Sequence, residues 1–176
     1  MALDVEIVRG ADPSVTVTTD DNVIDKIESS IGRNGALVVR RADGYNLQTQ
    51  EPIKLRIVTP KCDSVVVSGA SVVSLKEFSQ EELRTKVSGA SKFTLDSQID
   101  HIELQASGAS KVYADHHEAK TVEIQLSGAS VVAIAAADTI EGSVSGSSSL
   151  TYSGKPDRVA VETSGASRVK RQKSES

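Results

Sequence analysis

The sequence predicts an all-β fold: a parallel β-solenoid whose coils are about 19 residues long, preceded by an irregular N-terminal cap. Three observations lead there. The tetrapeptide SGAS begins at Ser68, Ser88, Ser107, Ser127 and Ser164, with SGSS at Ser145, so successive copies stand 20, 19, 20, 18 and 19 residues apart. A fixed period of this size marks a chain that stacks one supersecondary unit on the next. On both sides of every copy, apolar and polar residues alternate with period two. The stretches joining one unit to the next, such as KEFSQEE and DSQIDH, are too short for the helical crossover that ordinarily joins parallel strands.

Each element can be read from columns of equivalent residues. Directly before the motif stand Val67, Val87, Ala106, Leu126, Val144 and Thr163; four positions earlier stand Asp63, Leu83, Ile102, Val122, Ile140 and Val159. After it come Val73, Phe93, Val112, Val132, Leu150 and Val169, then Leu75, Leu95, Ala114, Ile134 and Tyr152. Residues between these are mostly polar: Arg84, Glu103, Glu123 and Glu141 before the motif, Ser74, Thr94, Thr151 and Lys170 after it. Only a strand sends successive side chains to opposite faces, so each unit is two half-buried strands flanking SGAS. Identical columns then stack at about 4.8 Å, and six coils make a column of roughly 24 Å. Differences in coil length fall in the connections KEFSQEE, DSQIDH, DHHEAKT, AAADT and SGKPDR, which read as loops.

Apolar parity is kept across SGAS, which makes the motif a bend in a nearly continuous ribbon. Its glycine supplies backbone freedom, and its small neighbours let corners of adjacent coils stack. The second serine (Ser71, Ser91, Ser110, Ser130, Ser148, Ser167) leans inward and needs a backbone partner, since an unpaired buried hydroxyl costs about 1–3 kcal/mol. Stacked hydroxyls one coil apart are expected to be too distant to bond each other. The rival explanation is a surface row of ligand-binding hydroxyls.

Residues 1–62 lack SGAS but alternate at Val5 and Ile7, Val15 and Val17, Leu37 and Val39, and Ile53, Leu55 and Ile57, with GADP and GRNG as turns. We read them as irregular first coils or a cap over the open end, continuous with a solenoid at 63–170 and a polar tail at 171–176, one domain in all. Arg171 falls in an inward column and should stop the ladder. The basic run RVKRQKSES is expected to be a frayed end.

The chain has 176 residues, 38% of them hydrophobic, with 20 basic and 24 acidic side chains and a net charge of -4. That balance gives no field for nucleic acid or anionic lipid. No apolar run reaches the 18 or so residues that span a bilayer, and no membrane insertion is expected. Met1-Ala2-Leu3-Asp4 is neither a signal peptide nor a lipidation motif, and whether an export signal has been trimmed is left open by the sequence. Cys62 stands alone and excludes an intrachain disulfide.

The SGAS repeats, with NVIDKIESSIGRNGALVVRRADG (22–44) and IKLRIVTPKCDSVVVSGAS (53–71), resemble a bacterial family called the putative auto-transporter adhesin head, GIN domain. The resemblance covers nearly the whole chain. It implies a right-handed parallel β-helix from a secreted, periplasmic or cell-surface protein, and it offers no catalytic residues to carry over.

Chemistry-bearing groupings are few. Asp115, His116, His117 and Glu118 form a metal-like DHHE run, expected to be a solvated loop. Glu103, Glu123 and Glu141 stack as carboxylates on one outer face and are candidates for a cation such as Ca²⁺, with Asp100, Asp138 and Asp157 nearby in the repeat; Arg84 and Lys86 one coil below would relieve their repulsion. The serines have no histidine column to activate them, so no catalytic residue, metal centre or cofactor is expected. The function that follows is a non-enzymatic binding or adhesion module offering a rigid face to a host or matrix protein or a glycan. The alternatives are a polysaccharide-active β-helix enzyme and a structural spacer.

Overall fold

The computed structural model of the chain describes residues 3–32, 36–41 and 53–172. Before the first SGAS lie β1 (Leu3–Arg9), β2 (Ser14–Thr18), one helical turn α1 (Asp21–Ile24), β3 (Ile27–Ile31), β4 (Leu37–Arg41), β5 (Ile53–Thr59) and β6 (Ser64–Val67). After it come β7 (Val72–Val87), β8 (Lys92–Ala106), β9 (Lys111–Leu126), β10 (Val131–Val144), β11 (Ser149–Ser153), β12 (Arg158–Thr163) and β13 (Arg168–Arg171). The predicted columns are the observed register. Val73 pairs with Phe93, Phe93 with Val112, Val112 with Val132, Val132 with Leu150 and Leu150 with Val169, all in parallel. On the other side of the corner, Leu83, Ile102, Val122, Ile140 and Val159 follow one another in the same way. Leu75, Leu83, Val122, Val132 and Leu150 are completely buried and belong to one continuous core, whereas Val159 in the last coil is 41% exposed.

One expectation needs correction. Four of the five connections are strand, because β7, β8, β9 and β10 run for 14 to 16 residues straight through the segments read as loops. Extra residues are absorbed as bulges, with register shifts between Lys76 and Ser79, Thr94 and His101, and Ile134 and Thr139. The reason is burial: Phe78, Ile99, Ala119 and Ala136 point from these segments into the core. Ser97 reinforces the bend by accepting from the Phe78 N–H at 3.1 Å and donating to the Leu75 carbonyl at 3.2 Å. SGKPDR alone leaves the ladder, between β11 and β12, where Pro156 cannot donate a backbone hydrogen bond.

At the corners the glycines have φ between +73° and +84°. That left-handed conformation turns the chain while keeping the coils in register: the Ala129 N–H donates to the Gly108 carbonyl at 2.7 Å, and the pattern recurs at every corner.

At the N-terminal end, chain order and spatial order part. β1 lies between β5 and β7 and is parallel to both, extending the post-motif face by two strands. β2 runs antiparallel along β5, and β3 and β4 form a separate hairpin. The basic run read as a frayed end is instead paired as far as Arg171, because Arg168–Arg171 continue the ladder as β13 beside β11; the last four residues of that run and part of the GRNG turn lie outside the described residues.

Candidate functional site

The carboxylate file exists as geometry. Glu103 is in register with Glu123, and Glu123 with Glu141. They edge a shallow trough of about 520 Å³ whose rim also carries Gln125, Arg158 and Glu162. Gly142 lines it beside Ile124, its partner in register, and has no room for a side chain, since a Cβ there would run into the Ile124 carbonyl oxygen. Glu103 is already engaged, 3.4 Å from the Arg84 guanidinium and accepting from Gln105 at 3.2 Å. Among the described residues no three of His, Cys, Asp and Glu gather as a metal-holding group. The three glutamates form a line, one per coil.

The DHHE run sits in strand β9, not in a loop, as four successive exposed residues. Its histidines face different carboxylates: His117 Nε2 is 3.3 Å from Asp96, and His116 Nδ1 is 3.8 Å from Asp115. Asp100 accepts from Lys120 at 2.7 Å, a bond that raises the lysine above its ordinary pKa. Across the corner, Lys76 donates to Glu6 at 2.8 Å, and that bond, with Arg56 beside it, holds the Glu6 carboxyl below the usual range.

The inward serines are structural. Ser71, Ser91, Ser110, Ser130 and Ser148 are 0–6% exposed. Ser130 donates to the Ser127 carbonyl at 2.9 Å, Ser91 to that of Gly69 at 3.3 Å, and Ser167 to that of Val144 at 2.9 Å. A buried hydroxyl cannot belong to a surface row. One detail departs from expectation: the Ser110 and Ser130 Oγ atoms are 3.2 Å apart and bond directly. Side chains tilting toward each other close the backbone spacing of about 4.8 Å that had made this contact look out of reach.

Two features were not anticipated. The first outward column after the motif reads Val72, Lys92, Lys111, Val131, Ser149 and Arg168 in register, and the Lys92 ammonium lies 5.3 Å from the centre of the Tyr113 ring. Its signal in the sequence is the basic residue that directly follows the motif at Lys92, Lys111 and Arg168. The second is a cavity of about 820 Å³ at the N-terminal end, lined largely by aliphatic residues including Val5, Ile7, Leu37, Leu55 and Val65. Its lining joins β1, β4, β5 and β6, and the pairing of β1 with β5 and β7 links segments far apart in sequence, so no local pattern announces it. Cys62 borders this cavity, and burial pushes its thiol up to about 11.

The sequence matches the family model described as putative auto-transporter adhesin, head GIN domain, over residues 1–156. The chain belongs to that family. Among solved structures, it is similar to a putative adhesin from Bacteroides fragilis at TM-score 0.81 and 14% identity, covering 98% of this chain and 89% of the other. A putative adhesin from Parabacteroides distasonis is similar at TM-score 0.59 and 14% identity, over 97% and 89% of the two chains. A putative lipid binding protein from the same species is similar at TM-score 0.56 and 14% identity, over 98% and 90%. At this identity the likeness shows the fold alone. No curated protein matches the chain. Among the described residues, no helix is long and apolar enough to cross a membrane.

Proposed function

We propose that this chain is a non-enzymatic adhesion module, secreted or held at the bacterial surface, that presents a rigid β-solenoid face to a host or matrix protein or a glycan. The observation that carries this reading is the register of the outward columns flanking the SGAS corners, held over coil after coil, which fixes side chains at a constant pitch. Such preorganisation lowers the ordering cost of binding an extended partner. In this reading residues 1–62 cap one end of the column formed by 63–170. Membership of a family described as adhesin heads supports it. The buried, backbone-bonded serines supply no nucleophile, which favours binding over catalysis.

The full chain, immobilised and challenged with a glycan array and a panel of matrix proteins, should retain at least one of them. Retention of none would leave a spacer role, and release of unsaturated sugar products would overturn the non-enzymatic reading.

The N-terminal cavity favours a second reading, in which an apolar ligand is held within the module. At about 820 Å³ it falls in the size range of ligand pockets, and one of the similar solved structures is that of a putative lipid binding protein. A fluorescent fatty-acid probe should gain intensity on binding and lose it in a Val65→Trp variant that fills the cavity. No gain with the parent chain would remove this reading.

A further inference from the structure

We propose that the outward strip beside the SGAS corners, on their C-terminal side, binds an acidic polysaccharide. The proposal rests on the surface-module reading and names its ligand class. The strip consists of two in-register columns over five coils, from Lys92 and Thr94 in β8 to Arg168 and Lys170 in β13. Its ten positions include four cations, Lys92, Lys111, Arg168 and Lys170, and no carboxylate. On a chain with net charge -4, that concentration of one sign is local and directional.

These cations are available. All four are exposed, and none of them forms an ion pair among the described residues. Lys76, Arg84 and Lys120 elsewhere are matched to Glu6, Glu103 and Asp100. Across the corner the opposite flank carries Glu103, Glu123, Glu141 and Glu162, so an anionic polymer is drawn to one side of the corner and repelled from the other.

Spacing selects the kind of polymer. Adjacent coils rise by about 4.8 Å, which places Lys111 one step from Lys92 and about 14 Å from Arg168, with the strip about 19 Å long. Duplex DNA, with one charge per about 1.7 Å, would bring about 11 phosphates against these four cations. A polysaccharide charged every sugar or two is a closer match. The positions between the cations suit sugars as well: Ser149 and Thr151 offer hydroxyls, Val131 and Ala133 are flat, and the Tyr113 ring faces outward beneath Lys92. Arg168 adds a planar fork that grips carboxylate or sulfate with two hydrogen bonds.

Binding of the full chain to sodium alginate, a polyuronate, and to dextran sulfate is the test, with neutral dextran and a short DNA duplex as comparisons. Retention of alginate identifies a uronate ligand, retention of dextran sulfate a sulfated one, and either supports the strip. Binding should be strongest near 10 mM salt, where the screening length is about 30 Å, and vanish near 1 M, where it is about 3 Å. The double variant K92Q/K111Q should weaken it about tenfold at unchanged melting temperature, since each exposed charge pair contributes up to about a factor of five. Lys86→Gln, on the acidic flank, should change it little. Equal retention of dextran, tighter retention of DNA, or indifference to K92Q/K111Q would each overturn the proposal. If no polyanion binds while a matrix protein does, the ligand class is wrong and the adhesion reading stands.

Discussion

Replacing Gly128 by alanine probes the corner where adjacent coils come closest. Gly128 has φ +75°, and a Cβ there would stand 2.6 Å from the Gly108 carbonyl oxygen and 2.9 Å from the Gly108 nitrogen. Holding an L residue in the left-handed region costs about 1–2 kcal/mol. Relief of the close contact requires the two corners to part, which weakens the 2.7 Å hydrogen bond from Ala129 to Gly108, worth about 1 kcal/mol. Alanine restricts the unfolded chain and returns about 0.4–1 kcal/mol. The net loss is about 2 kcal/mol. Urea unfolding measures it: with a slope of about 1–3 kcal/mol/M, the midpoint should fall by about 1 M at constant slope. The neighbouring exposed change Ala129→Gly should cost less than about 1 kcal/mol. A Gly128→Ala midpoint equal to that of the parent would refute corner stacking as the reason for glycine in the motif.

Leu83→Ala, which empties a completely buried position in the ladder, should destabilise by about 3 kcal/mol in the same assay. Glu6→Gln should lower stability by a few tenths to about 1 kcal/mol above pH 4.5. The folded carboxyl titrates below its ordinary value of 4.5, so this stabilisation is present above that pH and lost as pH falls through the lowered folded value; parent and variant melting curves should then converge. Cys62, with its thiol raised from 9.0 to about 11, should react with a disulfide reagent at pH 8 about tenfold more slowly than the unfolded chain, since the smaller thiolate fraction is partly offset by its greater nucleophilicity, and speed up as pH rises. Equal rates would mean that the thiol is not buried.

How much could be read from the sequence depended on how local the signal was. The coil period, the inward columns and the corner glycines each recur several times, and the register from Val73 to Val169 follows them residue for residue. The connections were misread because length variation looks like a loop, whereas Phe78, Ile99 and Ala119 fix each insertion in the core as a bulge. The insertion of β1 between β5 and β7 was hidden for a different reason: that pairing joins segments separated by dozens of residues, and an alternating strand does not name its partner. In the outward columns the glutamates drew attention as a run of one type. Lys92 and Lys111 did not, because Val131 and Ser149 interrupt their column before Arg168 completes it.

Vertical contact between neighbouring coils can be trapped chemically. In a Cys62→Ser background, cysteines at Ala109 and Ala129 occupy equivalent places on successive corners, about 4.8 Å apart, within the roughly 4.4–6.8 Å that a disulfide spans. Cysteines at Ala90 and Ala129 sit two rises apart, about 9.6 Å, beyond that reach. Mild oxidation followed by non-reducing electrophoresis and mass spectrometry should find the A109C/A129C bridge within one chain and none for A90C/A129C. Intrachain bridging of both pairs alike, or of neither, would contradict the stacked solenoid.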